Sequence, residues 1–123
     1  MTKIKTAGRI ILALLFIAAG INHFINPEFY MRIMPPYLPW HLPLVWISGV
    51  AESVLGVCLL IPFLKNWAAW GLIALLIAVF PANVHMAMHP EMFPEIPVAA
   101  LWLRLPLQVL LVLWVFVYTR PAR

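Results

Sequence analysis

Residues 42–62 read LPLVWISGVAESVLGVCLLIP, an apolar stretch broken by a single charge, Glu52. At a 1.5 Å rise per residue it is long enough to cross a bilayer as a helix. A carboxylate near the middle of such a helix costs roughly 2.5–3.5 kcal/mol. It is therefore expected to face protein and to have a partner. The other charge set well inside an apolar segment is Arg104, so a Glu52–Arg104 pair within a helical bundle is the first expectation.

The rest of the chain has the same character. Of its 123 residues, 65% are hydrophobic and 10% charged, with a mean hydropathy of +0.99. A soluble domain of this size cannot bury so much apolar surface. The sequence predicts one all-α transmembrane domain over residues 1–123, a four-helix bundle with spans at about 7–23, 42–62, 66–85 and 97–118. Lys3, Lys5 and Arg9 precede the first span as in a signal peptide. Gly20-Ile21-Asn22-His23-Phe24 is a poor cleavage site, however, and three spans follow, so this helix is read as retained.

The net charge of +4 does not point to nucleic acid. Lys3, Lys5, Arg9, Lys65, Arg120 and Arg123 fall on one side of a four-span topology. The other side carries Arg32 with Glu28, Glu91 and Glu95. The positive-inside rule then places both termini in the cytoplasm, and the bacterial inner (plasma) membrane is the expected location. Cys58 is the sole cysteine, which excludes an internal disulfide or a CxxC redox pair.

In the first long loop, Asn26-Pro27-Glu28 reads as helix cap, first-turn proline and first-turn acid. A short interfacial helix to about Ile33 is predicted. Pro35, Pro36 and Pro39 bar helix beyond it, and this apolar, aromatic loop is expected across the mouth of the bundle. Gly49, Ser53 and Gly56, and in the third span Ala74, Ala78 and Ala82, form small-residue stripes for close helix approach. They also make a homodimer conceivable. Pro81 and Pro106 each neighbour an intramembrane polar residue and are expected to bend their helices.

Depth gathers Glu52, Arg104, Gln108, Asn83 and His23 in the outer half of the bundle, and the inner half reads as dry. Arginine, glutamate, amides and an imidazole together suit hydrogen bonding to carbonyl or hydroxyl groups of a lipid-soluble ligand, of which a quinone is one. The same residues equally suit an internal network that fixes helix register. His85-Met86-Ala87-Met88-His89 holds soft donors, but its spacing matches no strong metal motif, and no metal site is assigned. No serine–histidine–acid set or glycine-rich loop supports catalysis.

Gly20-Ile21-Asn22-His23-Phe24 with Pro27, Pro35-Pro36-Tyr37-Leu38-Pro39, and Gly49-Val50-Ala51-Glu52-Ser53-Val54-Leu55-Gly56 with Pro62 resemble the DoxX-like family. Phe80-Pro81-Ala82-Asn83 and Arg104-Leu105-Pro106-Leu107-Gln108 are similar to the same family. The resemblance implies a four-helix membrane protein. Known members include a small subunit of a thiosulfate:quinone oxidoreductase, a methylamine dehydrogenase maturation protein and an animal chaperone for nicotinic receptor assembly. Two functions follow as expectations. One is a non-catalytic accessory subunit of an oxidoreductase that binds a lipid-soluble molecule. The other is an assembly factor with a membrane-protein partner and no ligand of its own.

Overall fold

The computed structural model describes residues 2–34, 36 and 39–120. Its helices are α1 (Lys3–Ile25), α2 (Pro27–Ile33), α3 (His41–Leu60), α4 (Lys65–Met88) and α5 (Val98–Phe116), with 3-10 turns at Pro90–Met92 and Val117–Thr119. There is no strand among the described residues. α1, α3, α4 and α5 are long and apolar enough to cross a membrane, as expected for an integral membrane protein. Their outward faces carry Leu14, Val54, Ile77 and Leu110, all more than half exposed in the isolated chain.

Local chemistry sets the helix ends. The Thr2 hydroxyl accepts from the Lys5 amide and caps α1. Asn26 alone separates α1 from α2. Its amide closes α1 on the Asn22 carbonyl, while its side chain donates to the Asn22 side chain rather than capping α2. Trp40, with φ 54° and ψ 52°, occupies the left-handed region and starts α3. The predicted extended path through the prolines falls largely on Pro35, Tyr37 and Leu38, outside the described residues. α4 runs unbroken through Pro81, and α5 through Pro106.

The tightest packing joins α1 to α3, and it is a seam without side chains. A Cβ at Gly20 would lie 2.6 Å from the Gly49 carbonyl oxygen. One at Gly49 would lie 2.9 Å from the Gly20 oxygen and 2.8 Å from His23 Cβ. Gly56 meets the Ala13 carbonyl in the same way, at 3.0 Å from its notional Cβ. Only glycine admits this approach. The α4 stripe behaves differently, because Ala74 and Ala78 face outward.

At the end carrying both termini, the core of Leu12, Phe16, Leu59, Leu72 and Val115 is closed by polar caps. Arg9, which the sequence places as a flanking charge, lies within α1 and is only 8% exposed. Its guanidinium donates to the Leu59 carbonyl at 2.6 Å, satisfying an orphan acceptor where the α3 dipole is negative. Asn66 donates to the Tyr118 and Arg120 carbonyls, and the Tyr118 hydroxyl donates to the Lys5 carbonyl. This half of the bundle is thus not wholly dry, since it holds a buried cation.

At the opposite end a second core forms around Phe93, Met86 and Leu101, with Phe29, Tyr30 and Ile96 against it. Arg32 on α2 stitches this end together. It reaches Glu95 at 2.6 Å and the Met92 carbonyl at 3.1 Å, and its guanidinium lies over the rings of Phe29 and Phe93.

Candidate functional site

A cavity of about 230 Å³ opens between α1, α2, α3, α4 and α5 at the Arg32 end of the bundle. Its polar lining is His23, Tyr30, Ser48, Glu52, Asn83 and Arg104; Ala19, Met34, Leu44, Val45 and Val79 supply the apolar wall. Four of the five residues singled out from sequence therefore share one cavity. Gln108 does not line it and sits one layer behind.

Glu52 does not pair with Arg104. Its carboxylate meets His23 Nε2 at 3.3 Å, and no carboxylate lies within 4.0 Å of Arg104 among the described residues. The helix order explains the difference. α3 is clamped to α1 along the glycine seam, whereas α5 packs chiefly on α4. α1 and α3 run antiparallel, so His23, which touches Gly49, and Glu52, next to the Ser53 that touches Gly20, meet at the level of the seam itself.

The imidazole is further held by its other nitrogen, 2.8 Å from the Ala19 carbonyl oxygen. A carbonyl only accepts, so Nδ1 carries a hydrogen, and Nε2 is the nitrogen that faces Glu52. Tyr30 covers the ring in a stack, with centroids 3.9 Å apart and planes 15° from parallel. Tyr30 escapes a reading centred on the spans, because α2 folds back over the cavity. Its signal is the Asn-Pro-Glu helix start three residues upstream. The Tyr30 oxygen accepts from the Asn22 side-chain amide at 2.8 Å, which leaves its O–H to donate.

Arg104 heads a directed chain. Its Nε donates to Asn83 Oδ1 at 3.3 Å; Asn83 Nδ2 donates to Gln108 Oε1; and Gln108 Nε2 donates to the Leu76 carbonyl. Arginine can only donate, so it fixes the orientation of both amides. The chain holds the guanidinium without neutralising it. Arg104, Asn83 and Val79 also line a second groove of about 220 Å³ between α4 and α5, walled by Leu76, Leu107 and Leu111. The cavity and the apolar groove thus share Arg104, Asn83 and Val79 as a common wall.

His85 and His89 lie side by side at the end of α4. The two imidazole centroids are 4.3 Å apart, and His89 Nδ1 is bonded to the His85 carbonyl. Among the described residues no group of three or more His, Cys, Asp or Glu is placed to hold a metal ion.

These features define a small integral membrane protein of four spanning helices with a polar cavity at one end. The chain belongs to a family described as a domain of unknown function, DUF8561, which it matches over residues 12–119. Comparison with curated proteins and with solved structures found no match.

Proposed function

We propose that this protein binds the head of a lipid-soluble molecule, of the quinone or phenol type, in the cavity between Glu52 and Arg104, as an accessory subunit to a membrane oxidoreductase. The observation that carries the reading is the cavity's size and polar lining beside an apolar groove that shares its wall. At about 230 Å³ it falls below the range of roughly 300–1,000 Å³ typical of pockets that enclose whole drug-sized ligands. It suits a ring-sized head group, while the α4–α5 groove offers Leu76, Leu107 and Leu111 to an apolar tail. Around the head, Tyr30, Ser48, Asn83 and Arg104 donate hydrogen bonds, and Glu52 with His23 accepts them. The DoxX-like resemblance supports the same reading and brings in the redox partner. Lys3, Lys5 and Arg120 at one end and Glu28, Glu91 and Glu95 at the other support a plasma-membrane protein with cytoplasmic termini.

The test is mass spectrometry of the protein purified with native lipids, wild type beside Glu52→Gln and Arg104→Ala. A stoichiometric small molecule lost in both variants is the expected result. Bulk lipid alone in all three would favour the assembly-factor reading. That reading draws on the outward Ala74–Ala78 face of α4, a surface suited to another membrane helix or to a second copy of this chain.

A further inference from the structure

The cavity places a histidine–carboxyl contact and an uncompensated cation around one space. With Nδ1–H committed to the Ala19 carbonyl, the contact between His23 Nε2 and Glu52 holds one proton in its neutral state, either as carboxylic acid to imidazole or as imidazolium to carboxylate. The pair can also hold a second. Then Nε2–H donates to the carboxyl C=O, and the carboxyl O–H is free to turn into the cavity. Arg104, by contrast, is a fixed positive charge whose one side-chain hydrogen bond from Nε goes to a neutral amide. An intramembrane guanidinium without a carboxylate calls for an anion.

We propose, building on the ligand reading above, that the site takes lipid-soluble molecules bearing an acidic hydroxyl (phenols, hydroquinones or enols) and binds them as oxyanions. The ligand O–H bond breaks, its proton passes to the His23–Glu52 pair, and the electron pair stays on the ligand oxygen, which faces Arg104. The proton balance is closed: ligand and pair exchange one proton, and no electron moves. The groups facing the exchange are His23 from α1, Tyr30 from α2, Glu52 and Ser48 from α3, and Arg104 from α5; α4 contributes the neutral Asn83. Tyr30, whose oxygen accepts from Asn22, has its O–H to donate.

The probe is an alkylated 4-nitrophenol, whose phenolate absorbs visible light, added to the full chain in detergent at a pH where the free probe is mostly neutral. The expected result is bound probe in its phenolate form, with proton affinity at least tenfold below that of the free probe. Glu52→Gln and Arg104→Gln should return the bound probe to the neutral form. Wild-type protein that binds the probe as neutral phenol overturns the inference and leaves the ligand reading standing. So does wild type that ignores the nitrophenol but retains decyl-ubiquinone. Wild type that binds neither removes the ligand reading as well. These three outcomes need no variant to fold. If the variants do fold, an unchanged phenolate band in both also overturns the proposal.

Discussion

His23 and Glu52 meet at 3.3 Å across a helix interface whose spacing is set by two residues with no side chains, Gly20 and Gly49. The contact lies level with the point where the backbones of α1 and α3 nearly touch, since His23 Cβ is itself against Gly49 and Ser53 against Gly20. The geometry of the polar pair is therefore inherited from backbone packing, and changes at the seam should be read at the site.

Gly49→Ala is expected to lower stability by about 1–3 kcal/mol, because its Cβ would meet the Gly20 carbonyl and His23 Cβ, neither of which can step aside. Gly71→Ala is the comparison. There the new Cβ meets only the methyl ends of Leu55, so the loss should be smaller. Thermal unfolding of both in one detergent checks the order, and equal losses would contradict the seam.

Gln108→Leu should cost about 1–3 kcal/mol, since it leaves the Asn83 amide hydrogen and the Leu76 carbonyl without their partner. Adding Asn83→Leu removes one orphan and should cost less than the sum of the two singles. A double-mutant cycle reads this directly, and strictly additive losses would mean that the chain from Arg104 is not coupled.

Tyr30→Phe keeps the stack on His23 and deletes only the hydroxyl. Retention of decyl-ubiquinone should fall by up to about tenfold, the effect of one hydrogen bond of roughly 0.5–1.5 kcal/mol. The melting temperature should fall only slightly, because the Asn22 amide that loses its acceptor is only partly buried. A large drop in melting temperature with unchanged retention would assign Tyr30 to the fold instead.

Glu95 is held below the usual carboxylate range, first by its hydrogen bond from Arg32. A group with a lowered native pKa contributes stability above its unfolded pKa and loses it as the pH falls through the native value. Glu95→Gln should thus lower the melting temperature slightly near neutral pH, and the gap to wild type should close on acidification. Salt should narrow it too, since the pair is exposed. A gap that persists in acid would argue against the pair.

Hydropathy made the four spans legible, and the Asn26-Pro27-Glu28 signal located α2, because both depend on local physics. Glu52 was conspicuous for the same reason. Its partner was not, because opposite charge at similar depth favoured Arg104, whereas lateral helix order decides who meets whom. That order is carried by Gly20 and Gly49, which lie far apart in sequence. Arg9 was misplaced similarly. Its position ahead of an apolar run resembles a flanking charge, and only the arrival of the α3 terminus beside it explains its burial. For Tyr30 the Asn-Pro-Glu signal gives the helix but not its placement, because nothing local says that α2 folds back onto His23.

The two sides of the cavity are mechanically unequal. α1 and α3 are locked backbone to backbone, so a thinner or thicker bilayer has little freedom to tilt one against the other. α5 leans chiefly on α4 and is the least enclosed of the four spans. It is the helix on which hydrophobic mismatch can act. Arg104 rides on that helix, while His23 and Glu52 ride on the rigid pair. The width of the gap between cation and proton pair is therefore open to tuning by the lipid around it, with no change in a single residue.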